Sequence, residues 1–405
     1  MAGISGMITN FNAPNYHGEL FLASPQDTPF LSSIGGLTGG GVATSTEFEW
    51  QTEDDADPTQ PVIAEGASAP TASGRARSRV SNVVQIHQER VSVSWTHQST
   101  MGQFATPSSA PYNAAVGVGV DGNPVQNEKD HQIAAKMRKI AKDVEWSFIN
   151  GKFRNPSTNT GRSTRGLVEA IQTNVLNLTT PVTGLSAATD TITEASTAVA
   201  NGDKVVFTDI GASTTLVRGR KYYVVQKAAG SFKVSATLGG AAITIGTATV
   251  SYIPASATAL TLANLNTICQ MAYDNGGLSA EFTATLMVGS TQKLAATAAI
   301  ASEYAKATPV DSSRVVGGVR VDTVMTDFGQ LNVMLNRNVP ADALIVCSLE
   351  MCKPVFLNVP GKGVFFEKEI ATDTSSEDSQ LYGEIGLAYG LESAHGIIRG
   401  AKIAV

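Results

Sequence analysis

The sequence predicts an α+β protein with a small all-β segment set into it, and three observations carry that reading. Residues 46–52 (TEFEWQT) alternate polar and apolar side chains, the period of an exposed strand. Residues 124–149 read as one long amphipathic helix, with Ile133, Met137, Ile140, Val144 and Phe148 spaced four, three, four and four apart. Residues 177–256 contain no Trp, Cys, His or Met and carry short strand-like runs separated by glycine turns.

Composition narrows the class. The chain has 405 residues, 42% apolar and only 16% charged, so it is globular and long enough for two or three domains. A net charge of -6 argues against condensing DNA unaided, which needs clustered Lys and Arg. No apolar run reaches the ~18 residues of a membrane span. The opening MAGISGMITNFNAP lacks the basic and apolar regions of a signal peptide. Cys269, Cys347 and Cys352 form no CxxC and are expected as reduced, buried thiols of a protein made in a cytoplasm.

From the N-terminus, residues 1–46 form a glycine-rich arm with one apolar island, Thr28-Pro29-Phe30-Leu31, closed by Ile34. Such an arm is expected to lie across its own domain or a neighbour's. After the 46–52 strand comes the acidic run Glu53-Asp54-Asp55-Ala56-Asp57-Pro58, then a loop and the basic stretch Arg75, Arg77, Arg79. The chain returns through the strand-like runs 83–86 and 91–95, making a long hairpin. Its acidic and basic stretches are expected to pair within the hairpin or with a neighbouring subunit.

The helix has Asn123 as N-cap, Pro124 at its first position and Asn150-Gly151 as its stop. At ~1.5 Å per residue it spans nearly 40 Å. In the β segment, runs at 204–208, 221–225, 231–235, 242–245 and 248–252 are expected strands. Beyond it, 262–273 and 291–301 read as helices. The runs 285–288, 319–325, 333–335, 343–346, 355–358, 381–390 and 396–400 read as strands.

Chemistry-bearing motifs are scarce. Gly117-Val118-Gly119-Val120-Asp121-Gly122 matches GxGxxG, but no strand precedes it and Pro124 removes a backbone donor, so nucleotide binding is not expected. His17, His87, His97, His131 and His395 show no ligand spacing and read as polar surface histidines. No catalytic residue, metal site or cofactor is predicted, and the chain is not expected to be an enzyme.

The order of these parts resembles the major capsid proteins of tailed phages with the Hong Kong 97 fold. The matching residues are Thr28-Pro29-Phe30, Glu49-Trp50, Glu65-Gly66, Val91-Ser92-Val93-Ser94, Gln132–Asn150 with Asp143-Val144-Glu145, and Arg165-Gly166-Leu167. The resemblance covers nearly the whole chain outside 177–256. It implies an N-terminal arm at 1–46, an extended loop at 47–97, and a peripheral domain at 98–176 with its spine helix at 124–149. An inserted β domain on the outer face at 177–256, an axial domain at 257–350 and closing strands at 351–405 complete the plan.

The implied function is self-assembly, as pentamers and hexamers, into an icosahedral head enclosing double-stranded DNA. By the same resemblance the subunit is expected to assemble in the host cytoplasm and to reside in the virion. Some family members cross-link through a lysine in the extended loop. Here the first lysine is Lys129, so no such bond is expected. Thr28-Pro29-Phe30 lies too early for a long scaffolding segment, so a separate scaffolding protein is expected. Portal and decoration proteins are further implied partners, packaged DNA is contacted non-specifically, and no membrane is involved. Phe30, Leu31, Trp50, Asp54, Asp55, Arg75, Arg77 and Arg79 are the candidate inter-subunit contacts. The rival readings are an encapsulin-like compartment and a tail or adhesin protein.

Overall fold

The computed structural model describes residues 27–53, 60, 62–69, 74, 76–99, 128–156, 161–186, 190–193, 199–255, 257–278, 284–307, 323–371 and 373–403. The chain divides into two compact units. One takes in Met1–Asp27, His87–Lys142 and Phe365–Gly383; the other takes in Thr28–Ile86, Asp143–Val364 and Glu384–Val405.

In the smaller unit, the strand Gln85–Ser94 buries alternate residues, among them His87, Val91 and Val93. Its neighbour is the strand Ser376–Ala388. The strand Phe365–Ile370 pairs antiparallel along residues 378–383 of that neighbour. The helix Glu128–Asn150 begins in this unit, and charge holds it there. Glu89 accepts from Lys136 Nζ at 2.8 Å and from Lys139. Those two lysines hold the Glu89 carboxyl below its usual range. Lys129 Nζ lies 3.6 Å from Glu369 and 3.5 Å from Glu377. Arg90 Nε donates to Asp378 at 2.9 Å.

The larger unit contains a six-stranded sheet in the order Thr323–Thr326, Gly329–Leu335, Ala284–Val288, Leu344–Ser348, Gly396–Arg399, Val175–Asn177. The helix Leu262–Asp274, capped by Thr261 Oγ1 accepting from Asn264 N, buries Leu265, Ile268, Cys269 and Ala272. They pack with Leu286, Val288, Leu344, Val346 and Ile398 of the sheet. Burial pushes the Cys269 thiol up to about 11 and the Cys347 thiol up to about 12, and all three cysteines are free and buried.

Six strands, Val182–Ser186, Ile192–Thr193, Lys204–Asp209, Lys221–Ala228, Ser231–Ser235 and Ala248–Ile253, close into an antiparallel barrel. Its core is aromatic, with Phe207 edge-on to Tyr222 at 5.6 Å and Phe232 edge-on to Tyr252 at 5.3 Å. The run 242–245, expected as a strand, is not one, although Ile243 N donates to Val234 O at 2.8 Å. Asp190 Oδ1 accepts from Ile245 N at 2.8 Å and Gly246 N at 2.9 Å at its end.

Other expectations change in detail. The hairpin is Glu47–Glu53 paired with Arg77–Val83, so the basic stretch is itself the return strand. The run through 83–95 is not one return arm. Val83 and Val84 are both fully buried, which breaks the alternation, and the chain changes partner there to form Gln85–Ser94. The start of the long helix, with Asn123 and Pro124, lies outside the described residues, as do the 117–122 glycine motif and most of 319–325. The described helix is Glu128–Asn150.

The histidine reading is corrected too. His87 is buried, and His395 is 0% exposed. His395 Nε2 donates to Tyr389 O at 2.8 Å while Nδ1 accepts from Ser348 N at 3.3 Å, which fixes a neutral ring. Burial holds its pKa below the ordinary value, against the Tyr389 carbonyl and Glu392. Because the folded pKa is depressed, the unfolded chain binds the extra proton first. Stability is therefore complete above about pH 6.5 and falls by up to ~1.4 kcal/mol per unit as pH drops below it. Thermal melts of wild type and His395→Gln between pH 7.5 and 5 check this: the wild type should lose stability more steeply. An NMR titration giving His395 a midpoint at or above 6.5 would contradict it.

Candidate functional site at the base of the hairpin

The segments singled out in the sequence meet in the larger unit. Pro29–Ser33 is a short helix whose cap residue, Thr28, supplies no side-chain hydrogen bond. Its orphan amides are met from elsewhere. Glu145, on the long helix and 0% exposed, accepts from Phe30 N at 3.1 Å and Leu31 N at 2.6 Å. Asn336 Nδ2 donates to the same carboxylate at 2.5 Å. A negative charge at a helix start is favourable, and a buried carboxylate needs such donors to offset its lost hydration. Glu145 thus joins the arm, the long helix and the turn after the strand Gly329–Leu335.

A second cluster fixes the hairpin base. Trp50 is half-buried; its Nε1 donates to Gly390 O at 2.8 Å and its ring stands edge-on to Tyr389 at 5.0 Å. The Tyr389 hydroxyl accepts from Arg165 at 3.2 Å, and the Arg165 guanidinium lies 4.5 Å over Phe153. Asn82, opposite Phe48 in the hairpin, is fully buried. Its Nδ2 donates to Leu387 O at 2.7 Å and Arg165 O at 3.2 Å, while Oδ1 accepts from Arg165 N at 2.8 Å and Val83 N at 2.9 Å. Close approach demands glycine at two places. A Cβ on Gly386 would stand 2.7 Å from Phe48 Cε1 and from Val83 O, and one on Gly166 2.7 Å from Gly151 N and Ile149 O.

The hairpin beyond its base is laced by charge. Arg77 Nε lies 3.0 Å from Glu53, directly opposite in register, and Arg79 Nη1 lies 3.4 Å from Glu49. Both pairs are exposed, and such pairs set register more than they stabilise, at ~0–1 kcal/mol each. Past them, Val62 is 89% and Ile63 66% exposed, two large apolar side chains held in solvent beside the Glu65-Gly66 turn, where Gly66 has φ +81°.

The predicted contact residues therefore separate. Phe30 and Leu31 are core residues of this chain, 0% and 2% exposed. Trp50 anchors the hairpin base, and Arg77 and Arg79 pair across the hairpin. Asp54, Asp55 and Arg75 lie outside the described residues. Asn82, Glu145 and Asn336 were not singled out for these roles. Asn82 carried one signal: a polar residue amid valines in a strand, where burial requires satisfied hydrogen bonds. No three His, Cys, Asp or Glu among the described residues gather as metal ligands. What the geometry can do is mechanical: it holds a hairpin rigidly at its base.

The body is mixed α+β, with an anchored hairpin and a long helix, a combination also found in solved capsid subunits. The capsid asymmetric unit of Cyanophage A-1(L) has this fold, at TM-score 0.54 and 11% identity, over 97% of this chain and 98% of that one. The capsid of Cyanophage P-SCSP1u (TM-score 0.49, 8% identity, 98% and 96% covered) and the SrpI encapsulin of Synechococcus elongatus PCC 7942 (0.46, 9%, 97% and 94%) also match. Their scores are too low to add to the fold assignment. No curated protein matches the sequence. The model of the SU10 major capsid protein family matches residues 3–402, and the chain belongs to that family. It is a tailed-phage major capsid protein of Hong Kong 97-like fold, a self-associating structural component of the virion and not an enzyme.

Replacing Glu145 by Gln leaves its shape but removes the charge and turns an amide toward donors. The expected cost is ~2–4 kcal/mol, read from urea unfolding of the full chain. A change below ~0.5 kcal/mol would show that the carboxylate is not what holds the arm.

Proposed function

We propose that the subunit assembles as pentamers and hexamers into an icosahedral head around double-stranded DNA, with the hairpin as the extended loop that reaches a neighbouring subunit. The supporting observation is the contrast within the hairpin: a base fixed by Trp50, Asn82 and Gly386, and an exposed apolar pair, Val62 and Ile63. An anchored strand pair presenting apolar side chains to water gains free energy when a neighbour covers them. The long helix acts as the spine of the peripheral domain, the segment 257–350 as the axial domain, and 177–256 as an inserted domain on the outer face. A closed barrel suits that position because it leaves no free strand edge for stray pairing.

The stretch 47–97 holds no lysine, so no isopeptide bond can start from a lysine of this loop. Arg77 and Arg79 keep the hairpin in register, and Trp50 sets its angle; with Asp54, Asp55 and Arg75 they form the proposed contact set. Scaffolding, portal and decoration proteins and non-specifically contacted DNA are the further partners of this proposal.

Electron microscopy of the expressed chain, with a scaffolding protein supplied, tests this reading. Closed shells or rings of five and six are expected. The double variant Val62→Asp, Ile63→Asp should keep its circular dichroism and its stability within ~0.5 kcal/mol, since both positions are exposed, yet fail to form shells. Normal shells from that variant would remove the loop from the set of assembly contacts. Stacked tubes from the wild type would point to a tail protein.

A further inference from the structure

Two cavities in the larger unit share the lining residues Val168, Asn177, Arg218 and Arg399. The deeper, about 180 Å³, also meets Gly219 and Ile253 of the barrel and Asp342; the shallower, about 430 Å³, extends to Lys152 and Glu169. They lie where the barrel joins the six-stranded sheet. Next to them an apolar cluster, Val206 and Ile253 with Ala257 and Ile403, holds barrel to body. Ala341 N also donates to Gly219 O at 3.0 Å.

The cations here are not fully compensated. Arg399 ends the strand Gly396–Arg399, and Arg218 stands in the turn before the barrel strand Lys221–Ala228. Arg399 donates to Val168 O and, at 3.3 Å, to Ile171 O. Its Nε is buried and meets no acceptor among the described residues. Of the nearby anions, Asp209 lies 3.6 Å from Lys152, and Glu169 accepts from Phe153 N. Asp342 is 3% exposed; burial pushes its carboxyl up, while Gly400 N, Arg218 and Arg399 pull it back down. Two half-buried guanidinium groups thus face this one buried carboxylate. Burial first, then Arg218, pulls the Arg399 pKa down.

We propose that this cleft binds a tetrahedral oxyanion of the phosphate class, one per chain, between Arg218 of the barrel and Arg399 of the sheet. The planar fork of each guanidinium matches two oxygens of such an ion. The ion supplies the acceptor that Arg399 Nε lacks and relieves the repulsion between the two arginines. It also ties a barrel residue to a sheet residue, so binding braces the barrel against the body. Because the argument uses only the cleft, it stands apart from the assembly contacts proposed above.

Isothermal titration of inorganic phosphate into the full-length chain, at constant ionic strength, tests it. Saturable binding near one ion per chain is expected, weakened at least about tenfold in Arg218→Gln. Arg218→Lys, which keeps the charge without the fork, should weaken binding less and guards against a Gln variant that does not fold. Circular dichroism without phosphate should be unchanged in both. Adenosine monophosphate in competition separates the sources: displacement of phosphate assigns a phosphomonoester, and its failure assigns the free ion. Absence of saturable binding, or equal affinity in wild type and a folded Arg218→Gln, overturns the proposal.

Discussion

One buried carboxylate organises the larger unit. Glu145 sits at 0% exposure and is held by Phe30 N, Leu31 N and Asn336 Nδ2. Removing a carboxylate from water costs several kcal/mol, and these charge-assisted bonds are what offset it. The arrangement also explains the form of the arm. Pro29 opens a five-residue helix that is far too short to persist alone, and Thr28 leaves it uncapped. Docking of its second and third positions on Glu145 supplies the cap from 114 and 115 residues away and buries Phe30 and Leu31 in the same step.

The hairpin depends on a similar economy of strong points. Asn82 makes four hydrogen bonds from one buried amide, and Trp50 and Tyr389 carry the contact on to Arg165. Exposed ion pairs keep the strands in register further out. Beyond them, Val62 and Ile63 stand in solvent. In the assembly proposed above, the fixed base would set the direction in which the hairpin reaches a neighbour.

Much of this was legible in the sequence. The alternation at 46–52, the long helix from Glu128 on and the barrel strands at 204–208, 221–225, 231–235 and 248–252 appear as local patterns, and the structure keeps them, whereas the run 242–245 does not become a strand. What each motif is for was not legible, because the answer is non-local. Thr28-Pro29-Phe30 and Asp143-Val144-Glu145 read as separate signatures, and only the fold shows the carboxylate of one capping the helix of the other. Glycines 166 and 386 are ordinary in a chain with 38 of them until a backbone neighbour stands 2.7 Å from the missing Cβ. The return strand was misplaced because Val83-Val84 looks like strand interior. The fold uses that pair as the point where the chain changes partner. His395 gave no signal, since the groups that hold its neutral ring are a carbonyl and an amide of the backbone, which side-chain patterns do not record.

Hydrogen–deuterium exchange, measured on the unassembled subunit and again on assembled shells, addresses the central claim that the hairpin is anchored before assembly and covered by it. Amides around Trp50 and Asn82 should be protected in both states, while those at 62–69 should exchange quickly in the subunit and become protected in the shell. Fast exchange at Trp50 and Asn82 in the subunit, matching that of 62–69, would contradict the claim and make the hairpin base a product of assembly.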